Sequence, residues 1–460
     1  MISLDQPLST SSPGAERVFA HLQANILAAH PRRHLEVWFL RFEVSARLVE
    51  FLVAIRPFVK SAATQLQERE RFRTTGAAAA PYVGVGLSAN GYALLDTHPS
   101  RRPQDRSFAD GAKAAAAALG DPDVADWEPA FRQDWHAVLL VGAATANGLS
   151  TITASARSLL AGVVVHVEAG HDLRDSHDRP VEHFGFVDGI SNPVFLADDA
   201  PSVAADEWDP VFPVGRALTT DLGVPLAEDC FGSYLVFRKL EQNVRRFHTM
   251  VHELALTLRI DSTGLNLVRH ERAAALLVGR HRDGTPLVES AIPLGARPPG
   301  NRFTFAADPE GRRCPVFAHV RTLNGRTNAA TEEGLEERAH VIARRGQTYG
   351  ERLDDPIDAS VPISERPDRG VGLLFMCINA DIVDQFEVQQ AHWANDPDFP
   401  RIGAGVEPII GRGPTTMVDI PTTWGGVTMK RSAIQETVRL LGAGYFFLPS
   451  LPFLASPHGA

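Results

Sequence analysis

Leu35, Val37 and Phe39 alternate with Glu36, Trp38 and Leu40, a period of two that predicts a strand ending near Phe42. Ser45 then opens Leu48, Val49, Phe51, Leu52 and Ile55 at helical spacing before Pro57, which predicts a helix. Residues 136–142 read as a second strand, 150–160 as a helix and 163–167 as the strand that follows it. The theme returns later in the chain. Residues 233–237 predict a strand, Val244, Phe247, Val251 and Leu254 share one helix face, and 372–378 followed by 380–390 give a further strand and helix. Repeated units of this kind predict two similar halves of mixed α+β type, a duplication of architecture rather than of sequence.

Between the halves, residues 197–225 are rich in Asp, Pro and Ala with little periodicity, so they are expected to form the crossing, with a boundary near residue 220. Other expected loops are 76–81, 101–111 and 355–369. The formal charge of -10, from 55 acidic against 45 basic side chains, argues against a protein that binds by neutralising nucleic-acid phosphates. Apolar runs such as 159–165 fall far short of the roughly 18 residues of a membrane span. The first residues carry Asp5, no base before Arg17 and no continuous apolar segment, so no export signal is expected. Three scattered cysteines, Cys230, Cys314 and Cys377, form no C-x-x-C pair; they indicate neither a disulfide framework nor a zinc site and fit a reducing cytoplasm.

Three segments carry candidate chemistry. GFVDGISNP (185–193) sets Asp188 between glycines in an apolar context, where backbone approaches a flat ligand closely and one carboxylate points at it; Asp-Gly is also a common turn signal. CPVFAHVR (314–321) sets His319 in an apolar stretch, where a neutral imidazole binds iron from a dry pocket. ARRGQTYG (343–350) brings Arg344 and Arg345 to the expected end of a helix before Gly346, where cations complement the helix dipole and also stabilise a developing negative charge. The chain has no G-x-x-x-x-G-K-[ST] loop, no G-x-S-x-G elbow and no H-E-x-x-H helix; Gly84, Gly86 and Gly91 miss the dinucleotide-loop spacing.

Taken in order, the three segments resemble the dye-decolourising peroxidases, haem enzymes whose G-x-x-D-G signature stands here as Gly185, Asp188 and Gly189. The resemblance extends to HLQANIL (21–27), GLLFMCINADIVDQFE (372–387), HWANDPDF (392–399) and GAGYFFLPSLPFL (442–454), so it covers nearly the whole chain and looks most like the longer bacterial and fungal members. It implies two ferredoxin-like modules of the dimeric α+β barrel type, with antiparallel sheets and peripheral helices. Residues 1–220 would carry the distal loop and 221–460 would bind haem b.

By the same resemblance His319 is the iron ligand, Asp188 the proton carrier and Arg344 the distal arginine. Gly185 and Gly189 bring the loop backbone into contact with the haem, Leu373 and Phe375 line the distal side, and Arg326 reaches a haem propionate. The implied activity is reduction of hydrogen peroxide with oxidation of dyes, phenolics or other small one-electron donors, through surface tyrosines or tryptophans for bulky ones. The alternative is a haem-handling protein that removes iron from porphyrin or carries haem. The family's Lys-Thr-Asn-Pro-Arg run is replaced here by Thr322-Leu323-Asn324-Gly325-Arg326, a more pliable loop. An acid is expected behind the iron-binding histidine, and Asp381, Asp384 and Glu387 remain open for it. Oligomeric state is left open.

Overall fold

The computed structural model describes residues 2–204, 206–224, 228–258, 266–295, 300–327, 332–352, 354–413, 415 and 417–457. Nine strands carry the architecture: β1 His34–Arg41, β2 Tyr82–Leu87, β3 Ala137–Ala143, β4 Val164–His171, β5 Phe231–Gln242, β6 Ala343–Arg344, β7 Gln347–Tyr349, β8 Gly372–Asn379 and β9 Val438–Leu448. Eight of them form one antiparallel path in the order β7-β8-β5-β9-β2-β3-β1-β4, with β6 paired to β8. Counted within each half, both quartets run second, third, first, fourth, which is the ferredoxin-like order. The quartets meet at β9 and β2, where Phe447 pairs with Leu87.

The two ends of the path are also tied. Thr348 on β7 accepts the Leu173 N–H at 3.2 Å and donates to the His171 carbonyl, while Gln347 donates to the Arg33 carbonyl at 2.9 Å. The sheet therefore curls into a barrel-like body, and its strands bury both faces. On β1, Val37 and Phe39 join the inner core with Val138, Leu140 and Phe237, whereas Trp38 and Leu40 join the outer core beneath helix α1 Ser45–Ile55. Burial on both faces is why β1 reads as an almost continuous apolar run rather than a clean alternation.

The expected strands and helices occur with shifted ends. Helix α2, Ala146–Ser158, begins before residue 150 because Thr145 accepts the Gly148 N–H and caps it. Helix α3, Val244–Leu258, buries Val244, Phe247, Val251 and Leu254. Part of the expected loop 101–111 is helical: Arg106–Asp110 forms a short helix capped by Asp105. The expected crossing 197–225, of which Ala205 and Pro225 lie outside the described residues, is packed rather than loose. Its Trp208, Phe212, Val214 and Leu218 are buried, and Thr219–Thr220 pairs with β5. Few apolar side chains at irregular spacing are enough to anchor it. One expectation is overturned: Arg344 does not end a helix. That helix, Glu332–Ala339, stops earlier, and Arg344 lies in β6 opposite Cys377.

Lys239 on β5 points away from its neighbours Arg238 and Leu240, into the barrel. It donates to Glu128 at 2.7 Å and to Glu168 of β4 at 2.9 Å, and His166 also contacts Glu168 at 2.8 Å. Burial pushes the Glu168 carboxyl up, but the His166 hydrogen bond and the Lys239 charge more than offset this and hold it below its ordinary value. Burial lowers Lys239, yet Glu128 and Glu168 hold it above its ordinary value. A depressed acid loses its contribution as pH falls through its folded pKa, and a raised base loses its own as pH rises through its folded pKa. The cluster should therefore stabilise evenly through neutral pH and fade below the ordinary Glu range and above the ordinary Lys range. Lys239→Met, which leaves Glu168 buried beside His166 alone, should cost about 3–5 kcal/mol at neutral pH in urea unfolding. An unchanged midpoint would show the cluster to be dispensable.

Candidate functional site

A cavity of about 280 Å³ opens between the 186–191 loop, β5, β8 and two helices, α4 His319–Leu323 and α5 Ile382–Ala394, the second wound at π-helical pitch. A single water needs only about 10–15 Å³ on this measure, so the space suits a ligand of several fused or linked rings. Phe184, Phe186, Leu240, Val320, Leu323 and Ile342 make much of the wall apolar. His319, Asp188 and Arg344 all line this same cavity, as do Gly189, Leu373 and Phe375. Leu373 and Phe375 reach it because alternate residues of β8 face one side, Leu373 opposite Leu240 and Phe375 opposite Arg238.

His319 is the first residue of α4. Its Nδ1 donates to Oε1 of Glu407 at 3.0 Å. Glu407 is buried, and its two oxygens accept three more donors: the N–H of Ile409 at 2.9 Å on Oε1, and those of Ile410 and Gly411 at 2.6 and 3.0 Å on Oε2. With Nδ1 committed, Nε2 is the nitrogen left for a metal. None of the three acids considered from sequence takes this place. Asp381 caps α5 by accepting the Asp384 N–H, the Asp384 carbonyl accepts from His340, and Glu387 accepts from Ser107 and Tyr445. Glu407 stands 88 residues from His319, in a segment with no helical or strand period to mark it. The only local signal is one acid in the otherwise uncharged GAGVEPIIG.

Arg344 Nη1 lies 3.5 Å from Asp188 Oδ1, and both side chains keep substantial exposure to the cavity, 36% and 45%. Oδ1 also accepts the Gly189 N–H at 2.6 Å, so Oδ2 is the less engaged oxygen. The loop is tied to β6 by Asn192, whose Oδ1 accepts the Arg344 N–H at 2.9 Å. Gly189 adopts φ +79°, a conformation that L side chains rarely hold, and a Cβ there would meet nothing within 4 Å. A second acid at the cavity wall, Glu182, fastens the loop. It accepts the N–H groups of Phe184 and Phe186 and the amide of Gln242, and burial pushes its carboxyl up from the ordinary value.

Two expected contacts are corrected. Gly185 does not face the cavity; at φ +94° its missing Cβ lets the chain pass Pro356 O, 2.9 Å from where that Cβ would stand, and Arg282. Arg326 lies behind the wall, fully buried, with its guanidinium on the Asn301 carbonyl at 2.7 Å, the Asn301 side chain at 2.7 Å and Ser191 Oγ at 2.9 Å. It also stacks on Phe303 and Trp208, and burial lowers its pKa well below normal. The cations that do line the cavity beside Arg344 include Arg280 and Arg338, which sequence reasoning missed. Both sit in segments with no motif, and only folding brings them round. Among the described residues no helix is long and apolar enough to cross a membrane.

A family profile for the DyP dimeric alpha+beta barrel domain matches residues 21–171. The multifunctional dye peroxidase DyP2 of an Amycolatopsis species is 42% identical over 470 aligned positions, covering 99% of this chain and 99% of that protein. Its solved structure matches with a TM-score of 0.93 over 99% of this chain and 100% of that one. A DyP-type peroxidase structure from an Anabaena species matches with a TM-score of 0.88 at 33% identity, covering 98% and 97% of the two chains. The dye-decolorizing peroxidase msp1 of Mycetinis scorodonius is 29% identical, covering 73% of this chain and 69% of that protein. Identity at this level, end to end and over the same α+β fold, means that the chain belongs to the dye-decolorizing peroxidase family and is a peroxidase.

Proposed function

We propose that the protein binds haem b in the cavity between His319 and the Asp188–Arg344 pair, reduces hydrogen peroxide there, and oxidises dyes, phenolics or other one-electron donors. The observation that carries this reading is the convergence on one cavity of an imidazole with a buried acid on its far nitrogen and, from other elements, an ion-paired carboxylate and guanidinium. The residues present fit the group. His319 Nε2 would hold the iron, the apolar wall would cover the macrocycle, and Arg280 or Arg338 would face its carboxylates. Bound haem iron supplies the redox chemistry, taking up the oxidising equivalents of peroxide and giving them out singly.

The chain's own groups do the rest. Asp188 takes a proton from one peroxide oxygen at Oδ2 and returns it to the other, which leaves as water. Arg344 stabilises the negative charge that develops as the O–O bond parts. Gly189 and Asn192 hold these two side chains in register, and Glu407 keeps the His319 ring from turning. A haem carrier needs the histidine alone, so the paired groups favour peroxide turnover. In this reading the chain divides near residue 220, the first module supplying Asp188 and the second supplying His319 and Arg344. It works in a reducing cytoplasm, a setting supported by three buried, unpaired cysteines.

Stopped-flow absorbance of the haem-loaded protein tests the assignment. Asp188→Asn should slow the reaction with peroxide by about 10²–10⁴-fold while retaining haem, and Arg344→Leu by about 10²–10³-fold. Unchanged rapid oxidation in Asp188→Asn would remove that residue from the mechanism. Glu407→Gln should weaken haem binding by about 10–100-fold in a spectroscopic titration; equal affinity would show that the far nitrogen of His319 needs no anion.

A further inference from the structure

We infer that His21, Asp229 and Cys230 form a zinc-binding site outside the peroxidase cavity. Cys230 Sγ lies 3.7 Å from His21 Nδ1, and Nδ1 lies 3.7 Å from Asp229 Oδ1. All three ligand atoms fall within 4.8 Å of one another, the one such His/Cys/Asp/Glu group among the described residues. A tetrahedral zinc, with bonds of about 2.3 Å to sulfur and 2.0–2.1 Å to nitrogen or oxygen, needs ligand atoms roughly 3.3–3.6 Å apart. The two edges measured here exceed that by a few tenths of an ångström. A direct imidazole–carboxylate hydrogen bond is shorter, as His166 on Glu168 at 2.8 Å demonstrates in the same molecule. His21 instead stands off the acid, a few tenths of an ångström outside the spacing of a shared cation.

The surroundings agree with a cation. Arg17 Nε lies 3.2 Å from Asp229 Oδ2, which occupies the outer oxygen and turns Oδ1 toward the imidazole. Cys230 is buried at the floor, while the His21 and Asp229 side chains are 34% and 20% exposed. The site thus opens to solvent on one side. A sulfur, nitrogen and oxygen donor set selects a borderline cation such as zinc over hard magnesium or calcium. The placement also gives the ion something to do. His21 ends the helix Ala15–His21, and Cys230 immediately precedes β5, whose Arg238, Leu240 and Gln242 line the cavity. A bound cation would clasp the N-terminal helix to the root of that strand.

The test uses the full-length, haem-loaded protein, stripped with chelator and titrated with zinc chloride by calorimetry, with total metal measured after dialysis. The wild type should hold one zinc per chain in addition to haem iron. Its thermal midpoint should rise with zinc, and cobalt in place of zinc should give a thiolate-to-metal absorption band. Cys230→Ala, His21→Ala and Asp229→Asn should each weaken binding by more than the about 10–100-fold that losing an outer-shell partner costs and abolish the zinc-dependent midpoint shift. His21 and Asp229 are partly exposed and carry the test should Cys230→Ala not fold. Zinc held equally well by these variants, or no zinc retained by the wild type, would overturn the site.

Discussion

The buried Glu407 carboxylate is the constraint on which the site rests. An ionised acid taken out of water is costly unless its oxygens are satisfied, and here four donors converge on it: one imidazole nitrogen and three successive backbone N–H groups of the 409–411 turn. Because the turn supplies a rigid cradle, the carboxylate cannot follow the ring. The ring follows the carboxylate. One nitrogen of His319 is thereby fixed as a donor to protein, and the other is left to face the cavity.

Across the cavity, two carboxyls six residues apart have opposite fates. Glu182 also lines the cavity but spends its oxygens on Phe184, Phe186 and Gln242, which shapes the loop. Asp188 stays exposed to the cavity and keeps one oxygen less engaged. The first serves the loop's shape, and the second leaves an oxygen facing the cavity. Their difference comes from where the backbone turns, with Gly185 and Gly189 both at positive φ to bring it about.

The halves of the barrel-like sheet are held by more than apolar packing. Lys239 links β5 to Glu168 on β4 inside the body, and the same strand begins just after Cys230, beside the N-terminal helix. Further along, its Arg238, Leu240 and Gln242 line the cavity. Movement of β5 would therefore disturb the inner ion cluster, the cavity wall and the helix contact together, which gives the reaction site a stiff backing.

Much of this was legible along the chain. The strand and helix periods near residues 35–55, 137–167, 231–258 and 372–390 reflect local burial, and local burial writes itself into spacing. Asp188, His319 and Arg344 stand in short segments whose resemblance to a family was specific enough to pair them. What spacing could not encode were partners separated by long loops: Glu407 behind His319, Arg280 and Arg338 on the cavity wall, and His21 beside a cysteine 209 residues away. Arg344 misled because a cation before glycine reads as a helix end, whereas pairing with β8 decided its conformation. The sequence by itself determined the family to which the chain belongs and which segments bury themselves. Only the tertiary structure decided which acid meets which base, since hydrogen bonding and ion pairing act over a few ångströms of space and are blind to distance along the chain.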